Sequence, residues 1–183
     1  MRTFICVKLP QSRIESLAGS IRALRGACSD IRWVKPETIH VTLKFCGELP
    51  RETVAAITAE LGRARLGAPF ELSAEGIGGF PNLKAPRVLW TALRNETEAL
   101  RALQKTVDGC AFRCGIEKEK SFSPHITLGR RAERGPLALD CAAALIKTNI
   151  SAAPWRVSEI IFMKSELTPS GPIYTPLEIF PLK

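Results

Sequence analysis

The strongest constraint on the fold of this chain is an order of strands and helices that occurs twice. Strands are predicted where β-branched and aromatic residues cluster, and helices where apolar residues recur at intervals of three and four. The first half has strands at 3–9, 38–46 and 70–77 and helices at 12–24 and 51–65. The second half has strands at 87–93, 123–130 and 155–163, helices at 95–112 and around 142–145, and a last strand at 173–180. The order β-α-β-α-β in both halves predicts two similar lobes, with an internal repeat of about 1–80 and 86–165 inside one domain of 1–183.

The second strand of each half carries the same tetrapeptide form. The copies are His40-Val41-Thr42-Leu43 and His125-Ile126-Thr127-Leu128, and they contain both histidines of the chain. Alternate side chains of a strand share a face, so the histidine and threonine of each copy point one way and the apolar pair points into a core. A single strand histidine is most often a surface or satisfied core residue. Two in one motif, at matching places, favour a functional site.

These groups suit the opening of a cyclic phosphodiester. Imidazole titrates near neutral pH, so one histidine can take a proton from water while the other gives a proton to the departing oxygen. Threonine hydroxyls can donate hydrogen bonds to phosphate oxygens. No metal is required if such donors offset the charge on the transferred group. The motif alone leaves open which histidine is the acid.

Residues beside the motifs give weaker indications. Strict alternation places Lys44 on the face of His40, where it either meets phosphate or is a solvated strand-end lysine, and it places Phe45 in the core. The same alternation turns Arg130 away from His125 unless the strand bulges there. The surrounding basic residues are either solvated or an approach for an RNA backbone: Lys118, Lys120, Arg131 and Arg134.

Composition limits the class of protein. Of the 183 residues 45% are hydrophobic and 24% charged, which is typical of a soluble globular domain. The sequence has no run of 18 apolar residues, so it does not predict a membrane-spanning helix. The net charge of +8 favours polyanionic partners such as RNA. Six irregularly spaced cysteines without a C-x-x-C pair are expected as free thiols in a reduced cytoplasmic setting, and a zinc site is not expected.

Several familiar catalytic patterns do not occur in the sequence. There is no P-loop, no G-x-S-x-G and no carboxylate cluster beside the histidines. Kinase, serine hydrolase and metal hydrolase functions therefore have no support from motifs.

The chain resembles the 2H phosphoesterase family, specifically the RNA 2′,3′-cyclic phosphodiesterases once described as 2′-5′ RNA ligases. The resemblance rests on the paired motifs and on segments along nearly the whole chain. These segments are Arg2-Thr3-Phe4-Ile5, Leu9-Pro10, Trp33-Val34-Lys35-Pro36, Lys44-Phe45, Gly47-Glu48, Phe80-Pro81, Arg87-Val88-Leu89-Trp90, Phe122-Ser123-Pro124, Gly129-Arg130 and Ser165 to Tyr174.

The resemblance implies an α+β fold of two similar lobes, each an antiparallel sheet with outer helices, and a catalytic cleft between them. It implies His40 as proton donor and His125 as proton acceptor. It implies that Thr42 and Thr127 bind the phosphate and that Arg130 helps to bind the ligand. No cofactor and no metal are implied.

We therefore expect metal-independent hydrolysis of 2′,3′-cyclic phosphate ends of RNA or nucleotides to 2′-phosphomonoesters, by a cytoplasmic monomer without membrane attachment. Two enzymatic alternatives remain: reversible 2′-5′ RNA ligation, and opening of another cyclic phosphodiester such as a cyclic phosphate of ADP-ribose. A non-catalytic RNA-binding module is a third alternative, but binding alone does not need two titratable imidazoles.

Overall fold

A computed structural model describes residues 1–95, 97–133 and 135–183 of the chain. The strands are β1 (Arg2–Lys8), β2 (Ile31–Trp33), β3 (His40–Glu48), β4 (Phe70–Phe80), β5 (Val88–Asn95), β6 (His125–Arg131), β7 (Ser151–Val157), β8 (Glu159–Thr168) and β9 (Gly171–Pro181). The helices are α1 (Gln11–Leu24), α2 (Arg51–Arg63), α3 (Thr97–Arg113) and α4 (Leu139–Lys147), with a short 3₁₀ helix at Pro36–Thr38.

The strands form one antiparallel sheet in the order β7-β4-β5-β6-β3-β1-β8-β9, and β2 pairs with β6 at the side. The sheet divides at the contact of β6 with β3 into two half-sheets of four strands each. From that contact outward, the second half-sheet runs β6-β5-β4-β7 and the first runs β3-β1-β8-β9. The α+β fold of two similar lobes is thus confirmed.

The half-sheets do not coincide with the halves of the sequence. Strand β4 pairs with β5, and strand β8 pairs with β1. Each sequence half therefore supplies a strand to the sheet of the other half. The boundaries of the internal repeat, about 1–80 and 86–165, stay a prediction.

The main core fills one face of the sheet, beneath the helices, and we call this the helix face. Buried residues of α1 and α3, such as Leu17 and Leu103, pack there with Ile5, Val41 and Ile126 of the strands. A smaller cluster of Phe4, Cys6, Ile161 and Met163, with Tyr174 against it, lies apart from that core. We call the side of the sheet that carries this cluster and both histidines the open face.

Most predicted elements lie within a few residues of those in the structure, with three corrections. The strand predicted at 155–163 is two strands, β7 and β8, and they pair with different half-sheets through β4 and β1. The sequence at 155–163 is rich in apolar residues, so it does not indicate where one strand ends and the next pairs with another strand. Strand β2 was missed because it has only three residues. The loop predicted at 78–82 begins only after Phe80, because Gly78 and Gly79 belong to β4 and pair with β5.

The cysteines differ from the sequence expectation in one respect. Cys28 and Cys141, which lie 113 positions apart, form a disulfide beneath the helices, so the expectation of free thiols is wrong for this pair. The other four are free thiols. Within the described ranges, every helix is too short or too polar to cross a bilayer.

Candidate active site

His40 opens β3 directly after the short 3₁₀ helix. Its Nδ1 donates to the carbonyl oxygen of Thr38 at 2.7 Å. A carbonyl only accepts, so the proton of the neutral ring is assigned to Nδ1, and Nε2 accepts from the Thr42 hydroxyl at 3.0 Å. The turn before the strand therefore orients the ring, and the next residue on the same face contacts its reactive nitrogen.

His125 opens β6 in the same way. Its Nδ1 donates to the carbonyl oxygen of Ser123 at 2.7 Å, again two residues earlier in the chain. Within residues 1–95, 97–133 and 135–183, no protein group hydrogen-bonds to its Nε2. Both histidines thus present Nε2 to the open face, and that of His125 is free to meet a small molecule.

The pairing of β3 with β6 brings the two motifs together. Val41 lies opposite Ile126 in this antiparallel contact. In that register His40 lies opposite Thr127 and Thr42 lies opposite His125. Each imidazole therefore has a threonine from its own strand, as the shared motif predicts, and the pairing of β3 with β6 adds a threonine across the junction.

A bulge at the last residue of each motif changes the face on which later residues lie. In β3, Cys6 pairs with Thr42 and Ile5 with Lys44, which leaves Leu43 as an extra residue. In β6, Trp90 pairs with Thr127 and Leu89 with Gly129, which leaves Leu128 as an extra residue. An extra residue shifts the alternation by one position, so residues beyond it face opposite to the simple pattern.

The bulge at Leu43 corrects two expectations. Lys44 does not share the face of His40: it is 2% exposed on the helix face, and its Nζ lies 2.7 Å from Asp108 and 3.4 Å from Glu119. Phe45 is not in the core: it is 47% exposed, and the Arg2 guanidinium lies over its ring at 4.9 Å.

The bulge at Leu128 meets the condition that the sequence set for Arg130. Its side chain is exposed, and its positive charge contributes to lowering the pKa of both His40 and His125. Arg130 therefore lies within electrostatic range of both rings. The next residue, Arg131, is buried, pairs with Asp30 and donates to the carbonyls of Gly135 and Pro136.

Arg131 therefore does not belong to the predicted basic approach. Lys118 and Lys120 are exposed, and the ammonium of Lys118 lies over the Phe112 ring at 4.7 Å. Arg134 lies outside the described residues. A role of these residues in RNA binding stays a prediction.

The pKa of each histidine is lower than the usual value. Burial is the main cause for both rings, because it disfavours the charged form. The hydrogen bond to a backbone carbonyl opposes this effect in each case. Lys8, His125 and Arg130 lower the pKa of His40 further, so the two imidazoles interact electrostatically. Both rings are therefore neutral at neutral pH when no ligand is bound.

Aromatic side chains that sequence reasoning did not assign to the site flank each imidazole. The His40 ring lies 4.9 Å from Phe4 and 5.4 Å from Tyr174, measured between centroids. The His125 ring lies 5.1 Å from Phe80 and 6.2 Å from Trp90. Phe4 and Trp90 lie on strands adjacent to the motifs, so alternation could have indicated them.

Tyr174 carried no such signal, since it lies on β9 and reaches His40 only through tertiary packing. Burial raises the pKa of its hydroxyl. The phenol therefore stays protonated near neutral pH and is a neutral hydrogen-bond donor beside the site.

The arrangement combines two titratable nitrogens, two hydroxyls and one guanidinium on a single face. Such a set can bind a phosphate and exchange protons on both sides of it. In the described part of the chain, no group of three or more His, Cys, Asp or Glu side chains could hold a metal ion.

Comparisons with known proteins agree with this geometry. The sequence profile of the 2′-5′ RNA ligase superfamily matches residues 13–169. The RNA 2′,3′-cyclic phosphodiesterase of Methanothermobacter thermautotrophicus is 35% identical over 100% of this chain and 99% of its own length. The crystal structure of TT0787 of Thermus thermophilus has a TM-score of 0.81 at 34% identity, covering 100% of this chain and 98% of the other.

A second solved structure is similar at lower identity. It is E. coli LigT complexed with 3′-AMP, with a TM-score of 0.76 at 26% identity, covering 99% of this chain and 97% of the other. The full-length matches in sequence and fold confirm the resemblance noted from the paired motifs. The chain belongs to the 2′-5′ RNA ligase superfamily of 2H phosphoesterases.

Proposed function

We propose that this protein hydrolyses 2′,3′-cyclic phosphate ends of RNA or nucleotides to 2′-phosphomonoesters, without a metal ion. The observation that carries the proposal is the pairing of Val41 with Ile126, which sets the two His-x-Thr motifs side by side on the open face. The relatives named RNA 2′,3′-cyclic phosphodiesterase, matched over the full length, support the substrate class.

The proposed reaction is an in-line displacement at phosphorus. Water forms a new bond to phosphorus and gives its proton to Nε2 of one histidine. The bond from phosphorus to the 3′-oxygen breaks, and the 3′-oxygen takes a proton from Nε2 of the other histidine. The product carries a 2′-phosphate and a free 3′-hydroxyl, and the two histidines have exchanged protonation states.

His125 is assigned as the base. Its lowered pKa keeps the ring neutral at neutral pH, and its Nε2 has no hydrogen-bond partner in the described structure. A base needs a vacant lone pair that water can reach, and Nε2 provides one because Nδ1 holds the proton against the Ser123 carbonyl.

His40 is assigned as the acid. Its pKa is lowered in the free protein, so it must gain its proton when substrate binds. The negative charge of the phosphodiester favours the imidazolium, which raises the pKa of the ring. Thr42 holds Nε2 within 3.0 Å of its hydroxyl and thus restricts the ring to an orientation facing the substrate.

Thr42, Thr127 and Arg130 are assigned to the phosphate. The assignment is supported by the register, in which each threonine lies opposite the histidine of the other strand and both hydroxyls can donate to the non-bridging oxygens. Arg130 adds a positive charge near both rings. Together these donors stabilise the charge on the transferred group, which is the role that a metal ion fills in other phosphoesterases.

The test is incubation with 2′,3′-cyclic AMP and 2′,3′-cyclic-ended oligonucleotides, with the product identified by phosphorus NMR. We expect a 2′-phosphomonoester at an undiminished rate in EDTA. A 3′-phosphomonoester, or a rate abolished by EDTA and restored by a metal ion, would contradict the proposal. A panel that includes 2′-5′-linked oligonucleotides and ADP-ribose cyclic phosphate distinguishes the alternative reactions. The monomeric state and the cytoplasmic location stay predictions.

A further inference from the structure

A groove of about 470 Å³ opens near His125, where β4 ends, β5 begins and β6 ends. It is lined by Phe80, Pro81, Arg87, Val88, Arg130 and Arg131. Two of these residues connect it to the site: the Phe80 ring lies 5.1 Å from the His125 ring, and Arg130 is assigned above to the reacting phosphate. The groove therefore continues the site away from the imidazoles, and it is far larger than a water molecule requires.

The three arginines that line this groove differ in whether the protein neutralises their charge. The Arg131 guanidinium pairs with Asp30 and Glu133 and with backbone carbonyls, so its charge is offset within the protein. Arg87 and Arg130 are exposed, and neither guanidinium has an ion pair or hydrogen bond to any described residue. Two free guanidinium groups thus border one groove with an apolar floor.

The backbone holds these two arginines in a fixed relation. Arg130 lies opposite Val88 in the pairing of β6 with β5. Arg87 is the residue before Val88: its amide donates to the carbonyl of Phe80 at 2.7 Å, and its own carbonyl accepts from the amide of Arg131 at 3.0 Å. Backbone hydrogen bonds at the start of β5 and near the end of β6 therefore hold both residues, and a ligand meets a preformed pair of positive charges.

We infer that this groove binds the nucleotide on the 5′ side of the cyclic end, with Arg87 contacting the phosphodiester that joins it to the terminal nucleoside. The inference rests on the proposed function. Two cations along one groove match two successive phosphates of an RNA end, the reacting one at Arg130 and the next at Arg87. The floor of Phe80, Pro81 and Val88 offers an apolar surface for a ribose or a base.

The first test compares substrates that differ only at the 5′ side. These are a 2′,3′-cyclic nucleoside without a 5′-phosphate, its 5′-phosphorylated form and a dinucleotide with a cyclic end. We expect Arg87→Gln to reduce the kcat/KM of the dinucleotide relative to that of the cyclic nucleoside by about tenfold, the loss of one charge-assisted contact. Lys84→Gln is the matched control, because Lys84 is exposed, carries the same charge and does not line the groove.

The second test measures binding without catalysis. The dissociation constant of a dinucleotide that ends in a 2′-phosphate is measured at several salt concentrations by calorimetry. Removal of one phosphate contact should make the slope of log K against log salt shallower by about 0.7 for Arg87→Gln and leave it unchanged for Lys84→Gln.

The outcomes separate the inference from the proposed function. If the unaltered protein opens cyclic nucleosides but Arg87→Gln changes neither the substrate ratio nor the salt slope, the groove does not bind the 5′ nucleotide. An equal loss on all three substrates has the same meaning, since Arg87 would then act on the reacting phosphate. If no cyclic phosphate is opened at all, the proposed function itself has failed.

Discussion

Val41 of β3 and Ile126 of β6 lie opposite each other at the junction of the two half-sheets. Both side chains are fully buried on the helix face, while the histidine before each and the threonine after each lie on the open face. The pairing that joins the two half-sheets is therefore also the pairing that brings together the two motifs of the candidate active site. Packing of this apolar pair sets the relative position of the two imidazoles.

His40→Ala and His125→Ala should each lower kcat/KM for 2′,3′-cyclic AMP by about 10² to 10⁴, the usual contribution of a positioned acid or base. Steady-state kinetics with the cyclic nucleotide gives this value. Thermal unfolding of both variants is the control, because His40 also packs against Phe4 and Tyr174. Full activity in either folded variant would remove that histidine from the mechanism.

The ionisation of the two rings should be visible by proton NMR. The chain has two histidines, so the two C2–H resonances can be assigned with the two single variants. Burial lowers the pKa of both rings, and we expect both to titrate below 6.5 in the free protein. The acid limb of kcat/KM should then lie below pH 6.5, because His125 must lose its proton to act as the base.

Arg130→Gln tests the electrostatic effect of Arg130 on the pKa of the two histidines. Removal of a positive charge favours the protonated imidazole, so the pKa of both histidines should rise in this variant. The same NMR titration measures the change. If the pKa of either ring is the same in this variant as in the unaltered protein, the Arg130 guanidinium lies farther from that ring than the proposed role requires.

Lys44→Ala should destabilise the protein without a large effect on KM. Its ammonium is buried against Asp108, and removal leaves that carboxylate without its cation, at a cost of about 3–5 kcal/mol. Urea unfolding measures the loss. The control is Lys164→Ala, which breaks a surface pair with Glu166 and should cost about 0.2–1 kcal/mol. A raised KM in a stable Lys44→Ala variant would instead support a contact between Lys44 and the phosphate, one of the two alternatives that the sequence left open.

Gly78→Ala should disturb the site from a distance. A Cβ at Gly78 would overlap the Trp90 indole, and Trp90 packs against Phe80, which contacts His125. We expect a loss of about 1–3 kcal/mol of stability from the forced shift, together with a lower kcat. Gly62→Ala is the control, because its Cβ would meet no atom closer than 4.0 Å and the residue is helical. It should raise stability by about 0.4–1 kcal/mol and leave kcat unchanged.

The sequence alone was sufficient to predict the shared face of the histidine and threonine in each motif, while their assignment to a catalytic site stays a prediction. The two motifs, their matching places in the element order and the period of two along a strand predicted which side chains share a face. These inferences succeeded because they depend on local geometry, which short stretches of sequence determine. His40, Thr42, His125 and Thr127 all lie where that geometry places them.

The places of Lys44, Phe45 and Arg130 were decided by the pairing of strands. Each follows an extra residue, Leu43 or Leu128, that shifts the alternation relative to the neighbouring strand. A bulge is a property of two strands in register, so the sequence of one strand does not reveal it. This explains why Lys44, which simple alternation placed on the face of His40, is buried on the helix face, and why Arg130 lies on the open face.

Contacts between residues far apart in the chain were still harder to predict from the sequence. Tyr174 reaches His40 from the last strand, Cys28 bonds with Cys141, and the segment at 155–163 divides between two half-sheets. Local sequence determined which residues are able to carry the chemistry and which face of a strand they share. Only the tertiary structure decided which strands meet, because that choice depends on burying apolar surface across the whole chain rather than on any short segment.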